Sequence, residues 1–82
     1  MNLKLDLCVL LIGSNTKFEH LLNFLPPNVV TSSVQTQEEA IILLQKKSFN
    51  FIGGEIKDKD YGTIIGIWPI TVAVKRLNLK LV

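Results

Sequence analysis

Residues 36–57 read TQEEAIILLQKKSFNFIGGEIK, and this stretch decides the fold class. Thr36 followed three residues later by Glu39 is the pattern of a capping box at the start of a helix. The positions after it place apolar side chains on one helix face: Ala40, Ile41, Leu43 and Leu44. Residues 49–55 (FNFIGGE) then read as a strand. The stretch therefore predicts one helix that leads directly into one strand.

The preceding residues repeat this alternation. Residues 5–12 (LDLCVLLI) form a short apolar run that ends at Gly13, as expected of a strand buried on both faces. Thr16 and Glu19 match a second capping box. Four apolar residues follow at helical spacing: Phe18, Leu21, Leu22 and Leu25. Residues 28–34 are rich in β-branched side chains. This order of strands and helices predicts a small parallel sheet flanked by helices.

The last third of the chain supports two interpretations. Residues 57–62 read as a solvated loop. Residues 63–77 fit helical spacing, with Pro69 able to open a helical segment, although their many β-branched residues favour a strand. We favour a broken helix, because a parallel sheet needs a crossover there. Three leucines then alternate with polar residues and predict a fourth strand: Leu77, Leu79 and Leu81.

The two adjacent glycines of the third predicted strand are unusual, because glycine weakens a strand interior. Gly53 and Gly54 indicate either the close approach of a ligand or partner, or tight packing against a bulky neighbour such as Phe51 or Trp68.

Composition limits the class of protein. The 82 residues, of 9.2 kDa, suffice for a single domain over residues 1–82. With 48% hydrophobic and 20% charged residues, the chain is not of the disordered class. Its net charge of +2 is too small to indicate nucleic acid as a partner, and we expect none. The one basic grouping is too small to carry specific binding: Lys75, Arg76 and Lys80.

Cysteine and hydropathy patterns indicate the compartment. Cys8 is the one cysteine and His20 the one histidine, so we expect no internal disulfide and no zinc site. The sequence contains neither a signal-peptide pattern nor an apolar run of about 18 residues that could cross a membrane. We therefore expect a cytoplasmic protein without a metal or cofactor and without a membrane partner.

Three stretches resemble the response-regulator receiver superfamily, typified by the chemotaxis receiver: residues 9–12 (VLLI), 38–44 (EEAIILL) and 49–57 (FNFIGGEIK). The resemblance covers residues 5 to about 62. It implies a truncated flavodoxin-like α/β fold with strand order 2-1-3-4. Receivers continue with further strands and helices, so the resemblance implies either a shortened relative or a fragment of a longer domain.

The departures from the receiver pattern concern the reactive site. Receivers hold magnesium with an acidic pair after the first strand, and those positions are Gly13 and Ser14 here. The position of the phosphorylated aspartate is occupied by Glu55. Without the acidic pair, the charge of an incoming phosphoryl group lacks its metal counter-ion. The resemblance therefore implies a degenerate pseudo-receiver with Glu55 as its pseudo-phosphoacceptor position.

Two hypotheses about function follow. The first is a non-catalytic pseudo-receiver module that acts through protein–protein interaction in signalling or regulation, with the loop residues Asp58, Asp60 and Tyr61 as an interaction site. The alternative is a small anion- or nucleotide-binding protein whose ligand site is the turn of Gly13, Ser14, Asn15 and Thr16. Both features also have a purely structural interpretation: the turn of residues 13–16 caps a helix, and the loop around Asp58 to Tyr61 is solvated. The sequence contains no nucleophile–base pair of the kind that would indicate an enzyme.

Self-association is also expected. A receiver lacking its last helix leaves Val9, Leu11 and Ile52 partly uncovered. It also leaves a fourth strand at residues 77–82 as a free edge, and free edges recruit other chains. The partner is therefore expected to be a signalling protein, a second copy, or both.

Overall fold

A computed structural model of the chain, which describes residues 6–80, shows one four-stranded sheet flanked by helices. The strands are β1 (Leu7–Ile12), β2 (Val29–Val34), β3 (Phe51–Asp58) and β4 (Gly62–Pro69). The helices are α1 (Glu19–Leu22), which follows a 3-10 turn (Asn15–Phe18), α2 (Gln37–Lys46) and α3 (Ile70–Arg76). The strand order is β2-β1-β3-β4, so the predicted α/β class and the predicted order are confirmed.

β1 lies at the centre of the parallel part of the sheet, between β2 and β3. Asn50, the residue before β3, makes hydrogen bonds to β1 and to the start of α3. Its side-chain Oδ1 accepts the Cys8 N–H at 2.9 Å, and its own N–H donates to the Cys8 carbonyl at 2.8 Å. Its carbonyl accepts the Ile70 N–H at 3.0 Å. One residue thereby ties together β1, β3 and the start of α3.

The fourth strand corrects the prediction of an all-parallel sheet, because β4 pairs antiparallel with β3. Residues 59–61 make the turn between them, in place of the predicted loop over 57–62. The Asp58 carboxylate accepts the N–H groups of Asp60 at 2.8 Å and Tyr61 at 3.2 Å, and Gly62 takes a φ of +79°. A turn this short can join antiparallel strands but not parallel ones.

The predicted broken helix over residues 63–77 is wrong for residues 63–69, which lie in β4, and right for residues 70–76, which form α3. The predicted strand from Leu77 is absent from the described residues 77–80. The β-branched residues before Pro69 extend along β3 as a strand, which suits their restricted side chains. Pro69 takes the N-cap position, and α3 begins one residue later. Residues 77–80 form no strand, and Leu81 and Val82 lie outside the described residues.

The two predicted capping boxes have different outcomes. At α2, the Thr36 hydroxyl accepts the Glu39 N–H at 3.2 Å, as predicted. Before α1, Ser14 rather than Thr16 is the cap, and its hydroxyl accepts the Thr16 N–H at 3.3 Å. The cap lies two residues earlier because a 3-10 turn precedes α1. The apolar stripe that begins at Phe18 still faces the core.

Side chains pack on both faces of the sheet. On one face, Leu10 and Ile52 pack with Ala40 of α2 and Ala73 of α3. On the other face, Val9 and Leu11 pack with Phe18 of the 3-10 turn. Val9, Leu11 and Ile52 are all fully buried, so the expectation that they lose cover is wrong. The helices on the two faces suffice to cover the middle of the sheet.

Gly53 and Gly54 are explained by tight packing, although the packing partners are not those expected. A Cβ atom on Gly53 would lie 2.7 Å from Leu11 Cδ2 and 3.1 Å from Phe18 Cε1. A Cβ atom on Gly54 would lie 2.6 Å from Leu77 Cδ2, on the opposite face. Trp68 covers Gly66 instead. β3 therefore lets side chains approach its backbone from both faces.

We predict that Gly53→Ala destabilises the fold by about 1–3 kcal/mol, the usual cost of overpacking a core. Gly54→Ala should cost less, because it meets only the flexible end of Leu77, whereas Gly53 is enclosed by Leu11, Phe18 and Ile67. Urea unfolding monitored by circular dichroism measures both. Equal stability of Gly53→Ala and the wild type would contradict this packing.

Candidate functional site

An open cleft of 250 Å³ lies where the parallel strands β1 and β2 end. In α/β sheets, ligands bind outside the carboxyl ends of such strands. The residues around the cleft come from both ends of the described chain: Ile12, Gly13, Lys17, Gln35, Gln37, Gly54, Glu55 and Leu77. The cleft therefore occupies the position at which a binding site is expected in this class of fold.

Gly13 forms the rim of the cleft after β1. Its N–H donates to the Val34 carbonyl at 2.8 Å, which extends the pairing of β1 with β2 by one residue. Its φ is +115°, a conformation that side chains other than hydrogen rarely allow, although the space around its Cα is open. Glycine is thus required here by backbone geometry. The turn it makes points the chain away from the sheet and into the 3-10 turn.

Glu55 lies on β3 beside the end of β1. The predicted strand ended at Glu55, whereas β3 continues to Asp58. The Glu55 carboxylate accepts a hydrogen bond from the Lys17 ammonium group, and the two form an ion pair. Both side chains keep contact with solvent, with 49% of Lys17 and 36% of Glu55 exposed. The Glu55 carboxylate is therefore already paired with a cationic side chain of the same chain.

At the floor of the cleft, a hydrogen bond connects α2 and α3, the two helices on one face of the sheet. Gln37, the first residue of α2, donates from Nε2 to the carbonyl of Leu77 at 3.0 Å. Leu77 follows α3 and covers Gly54. This bond connects the start of α2 to the end of α3. It also commits the Gln37 amide to a structural contact.

The other predicted site residues divide into two places. Gly13 and Glu55 line the cleft, and Ser14 follows Gly13 in the chain. The Ser14 hydroxyl, however, caps the 3-10 turn and lies 2.8 Å from the Thr16 hydroxyl, so these groups bond to each other. Asp58, Asp60 and Tyr61 lie at the hairpin turn and do not line the cleft. The hairpin turn and the cleft are thus separate features.

Sequence reasoning missed Lys17, Gln35 and Gln37 as lining residues. Lys17 lies between Thr16 and Glu19, the two residues that define the predicted capping box. Its position one turn after the end of β1 was the available signal, because residues there face the carboxyl edge of a sheet. Gln35 and Gln37 flank Thr36 and belong to no sequence motif that would indicate a binding site.

The cleft offers one carboxylate, one ammonium group and amide groups. Within residues 6–80, no group of three or more His, Cys, Asp or Glu side chains is placed to hold a metal ion. No helix of this described part is long and apolar enough to cross a membrane. The arrangement can accept and donate hydrogen bonds to a polar group at its mouth.

No protein-family model, curated protein or solved structure matches this chain significantly. The resemblance to receivers accordingly stays a prediction.

We predict that the Lys17–Glu55 ion pair contributes little to stability, about 0.2–1 kcal/mol, because both groups are partly exposed. A double-mutant cycle with Lys17→Met and Glu55→Gln, followed by urea unfolding, measures the coupling. It should shrink in about 1 M NaCl, since salt screens exposed charges. A coupling above about 2 kcal/mol that salt leaves unchanged would show a desolvated pair instead.

Proposed function

We propose that this protein is a non-catalytic, receiver-like module that acts through protein–protein contact in regulation. The parallel strands β1 to β3 and the cleft at their carboxyl edge support this proposal, whereas the antiparallel β4 departs from the all-parallel sheet of a flavodoxin-like receiver. The observation that carries the proposal is the composition of the outer strands, β2 and β4. Neither contains a charged residue, although each leaves one edge without a partner in the described sheet.

Uncharged outer strands matter because a free edge presents unpaired N–H and C=O groups to other chains. Proteins usually protect such edges with charged residues, most often lysine, or keep them short. β4 is eight residues long, and the charged residues of its hairpin lie outside it, on β3 and on the turn. A strand of this kind is suited to pairing with another chain.

The non-catalytic part of the proposal is supported by the state of the cleft. A receiver needs a free aspartate with a metal held beside it, whereas Glu55 is engaged by Lys17 and its neighbours at the end of β1 are Gly13 and Ser14. Phosphoryl transfer depends on positioned cations that neutralise the phosphate oxygens. Here the available cation neutralises the carboxylate instead.

The alternative, an anion or nucleotide at the turn of Gly13 to Thr16, is less well supported. The Ser14 hydroxyl already caps the turn, and the hydroxyls of Ser14 and Thr16 bond to each other. An anion would have to replace these contacts. Thermal unfolding with and without inorganic phosphate or a nucleotide separates this alternative from the proposal, which expects no shift.

We predict that acetyl phosphate with Mg²⁺ leaves the protein unmodified, because Glu55 lacks both a free carboxylate and a metal partner. Intact-mass spectrometry detects the modification directly. A matched sample of Glu55→Asp with Lys17→Met tests whether restoring a free aspartate is enough, and we expect it to stay unmodified as well. A saturable, Mg²⁺-dependent phosphoryl adduct on the wild type would contradict the non-catalytic proposal.

In-cell photo-crosslinking tests the contact function. A photoreactive amino acid is placed at Val30 of β2 or Ile65 of β4, and at Lys46 on the exposed end of α2 as the control. We expect a discrete protein adduct from at least one outer strand and none from position 46. If neither outer strand yields an adduct in cells that express the chain, protein contact through the sheet edges is wrong.

A further inference from the structure

The side chains of β4 distinguish it from the other outer strand. Ile64, Ile65, Ile67 and Trp68 are all half-buried, and they alternate between the two faces of the sheet. A strand that is apolar on both faces is typical of the middle of a sheet. On β2, by contrast, the side chains at Thr31 and Ser33 are polar and exposed. β4 thus has the sequence of a central strand in the position of an edge.

The hydrogen-bonding register shows which backbone groups the free edge offers. The Ile70 N–H donates to the Asn50 carbonyl of the neighbouring strand, in the register that pairs Phe51 with Pro69. Residues of an antiparallel strand alternate in the direction of their N–H and C=O groups. The even-numbered residues of β4 therefore bond towards β3. The odd-numbered ones, Thr63, Ile65 and Ile67, direct their N–H and C=O groups outwards.

We propose that a second copy of this chain binds the free edge of β4, antiparallel to it, about a two-fold axis at Ile65. This proposal rests on the proposed function, since it names the partner and the edge. In this register Ile65 lies opposite its own copy, and Thr63 lies opposite Ile67. The result is one continuous sheet that spans both copies.

The register about Ile65 is the one that uses the outward groups most completely. Each outward N–H of Thr63, Ile65 and Ile67 meets an outward C=O across the axis, and each of those C=O groups meets an N–H. Pro69 has no N–H and stays outside these pairs. A shift of two residues in one direction brings Pro69 opposite Thr63 of the other copy and loses that hydrogen bond. A shift in the other direction brings Ile67 opposite Tyr61, which lies outside β4.

Side chains also fit this pairing. On one face, Ile64 lies opposite Gly66, which has no side chain to oppose it, and beside the Trp68 ring that covers Gly66. Pairs of β-branched and aromatic residues stabilise neighbouring strands. On the other face, Ile65 packs against its copy. Because β4 carries no charged residue, no like charges meet between the two strands.

Sedimentation velocity of the purified full chain at micromolar concentration tests the dimer. We expect a species of about twice 9.2 kDa. Ile65→Lys should reduce it to a monomer, because two lysines would lie directly opposite each other at the axis. Val30→Lys on β2 is the matched control and should stay dimeric. A wild-type monomer, or a dimer lost in Val30→Lys but kept in Ile65→Lys, would overturn the proposal.

Cysteine crosslinking tests the register without disturbing charge, in a Cys8→Ser background. Ile65→Cys places two sulfurs on residues about 5.5 Å apart between Cα atoms, within the range of a disulfide. Ile67→Cys, on the same face, places its Cα atoms about 13 Å apart and cannot bridge. We expect a crosslinked dimer from Ile65→Cys alone. Crosslinking from Ile67→Cys and not from Ile65→Cys would overturn the register.

Different experimental results would overturn the dimer and the proposed contact function. A monomeric chain whose β4 crosslinks in cells to a different protein overturns the second copy as the partner and leaves the contact function in place. A monomeric chain without any edge adduct in cells overturns both.

Discussion

The constraint on which the rest of the structure depends is the absence of side chains at Gly53 and Gly54 in the middle of β3. Leu11 and Phe18 approach the backbone from one face at Gly53, and Leu77 approaches from the other face at Gly54. Phe18 belongs to the 3-10 turn, and Leu77 ends α3. The 3-10 turn and the end of α3 can therefore take these positions only because Gly53 and Gly54 carry no side chain. The same approach brings Lys17 within reach of Glu55 and Leu77 beneath the cleft.

Much of the fold was predictable because the signals were local. The capping box at Thr36 and the apolar run around Leu10 each lie within one element, and both were placed correctly. The residues after Asp58 could not be assigned in the same way. Their β-branched side chains favour a strand and their spacing fits a helix, and the choice is made by pairing with β3. The expectation of a parallel crossover led to the prediction of a helix at residues 63–69. A three-residue turn held by the Asp58 carboxylate instead returns these residues as a strand along β3.

The candidate site was predictable to a smaller extent. Glu55 was named from the resemblance to receivers, and Gly13 from that resemblance and from the turn after the first strand; both line the cleft. The partner of Glu55 did not follow, because Lys17 lies 38 residues away and no local pattern links the two. The capping residue was misplaced for a related reason. A 3-10 turn and an α-helix use the same capping residues, and only backbone geometry distinguishes Ser14 from Thr16.

The contacts made by Asn50 have a consequence for the order of folding. The β3–β4 hairpin closes with a loop of a few residues, so its chain-entropy cost is small and it can form early. The pairing of β1 with β3 joins Cys8 to Asn50 across 42 residues and closes a much longer loop. Asn50 accepts the N–H of Ile70, directly after the hairpin, and bonds to both backbone groups of Cys8. If the hairpin forms first, we expect Asn50 to offer an acceptor and a donor to β1, so that the non-local step is the docking of one strand onto residues that are already ordered.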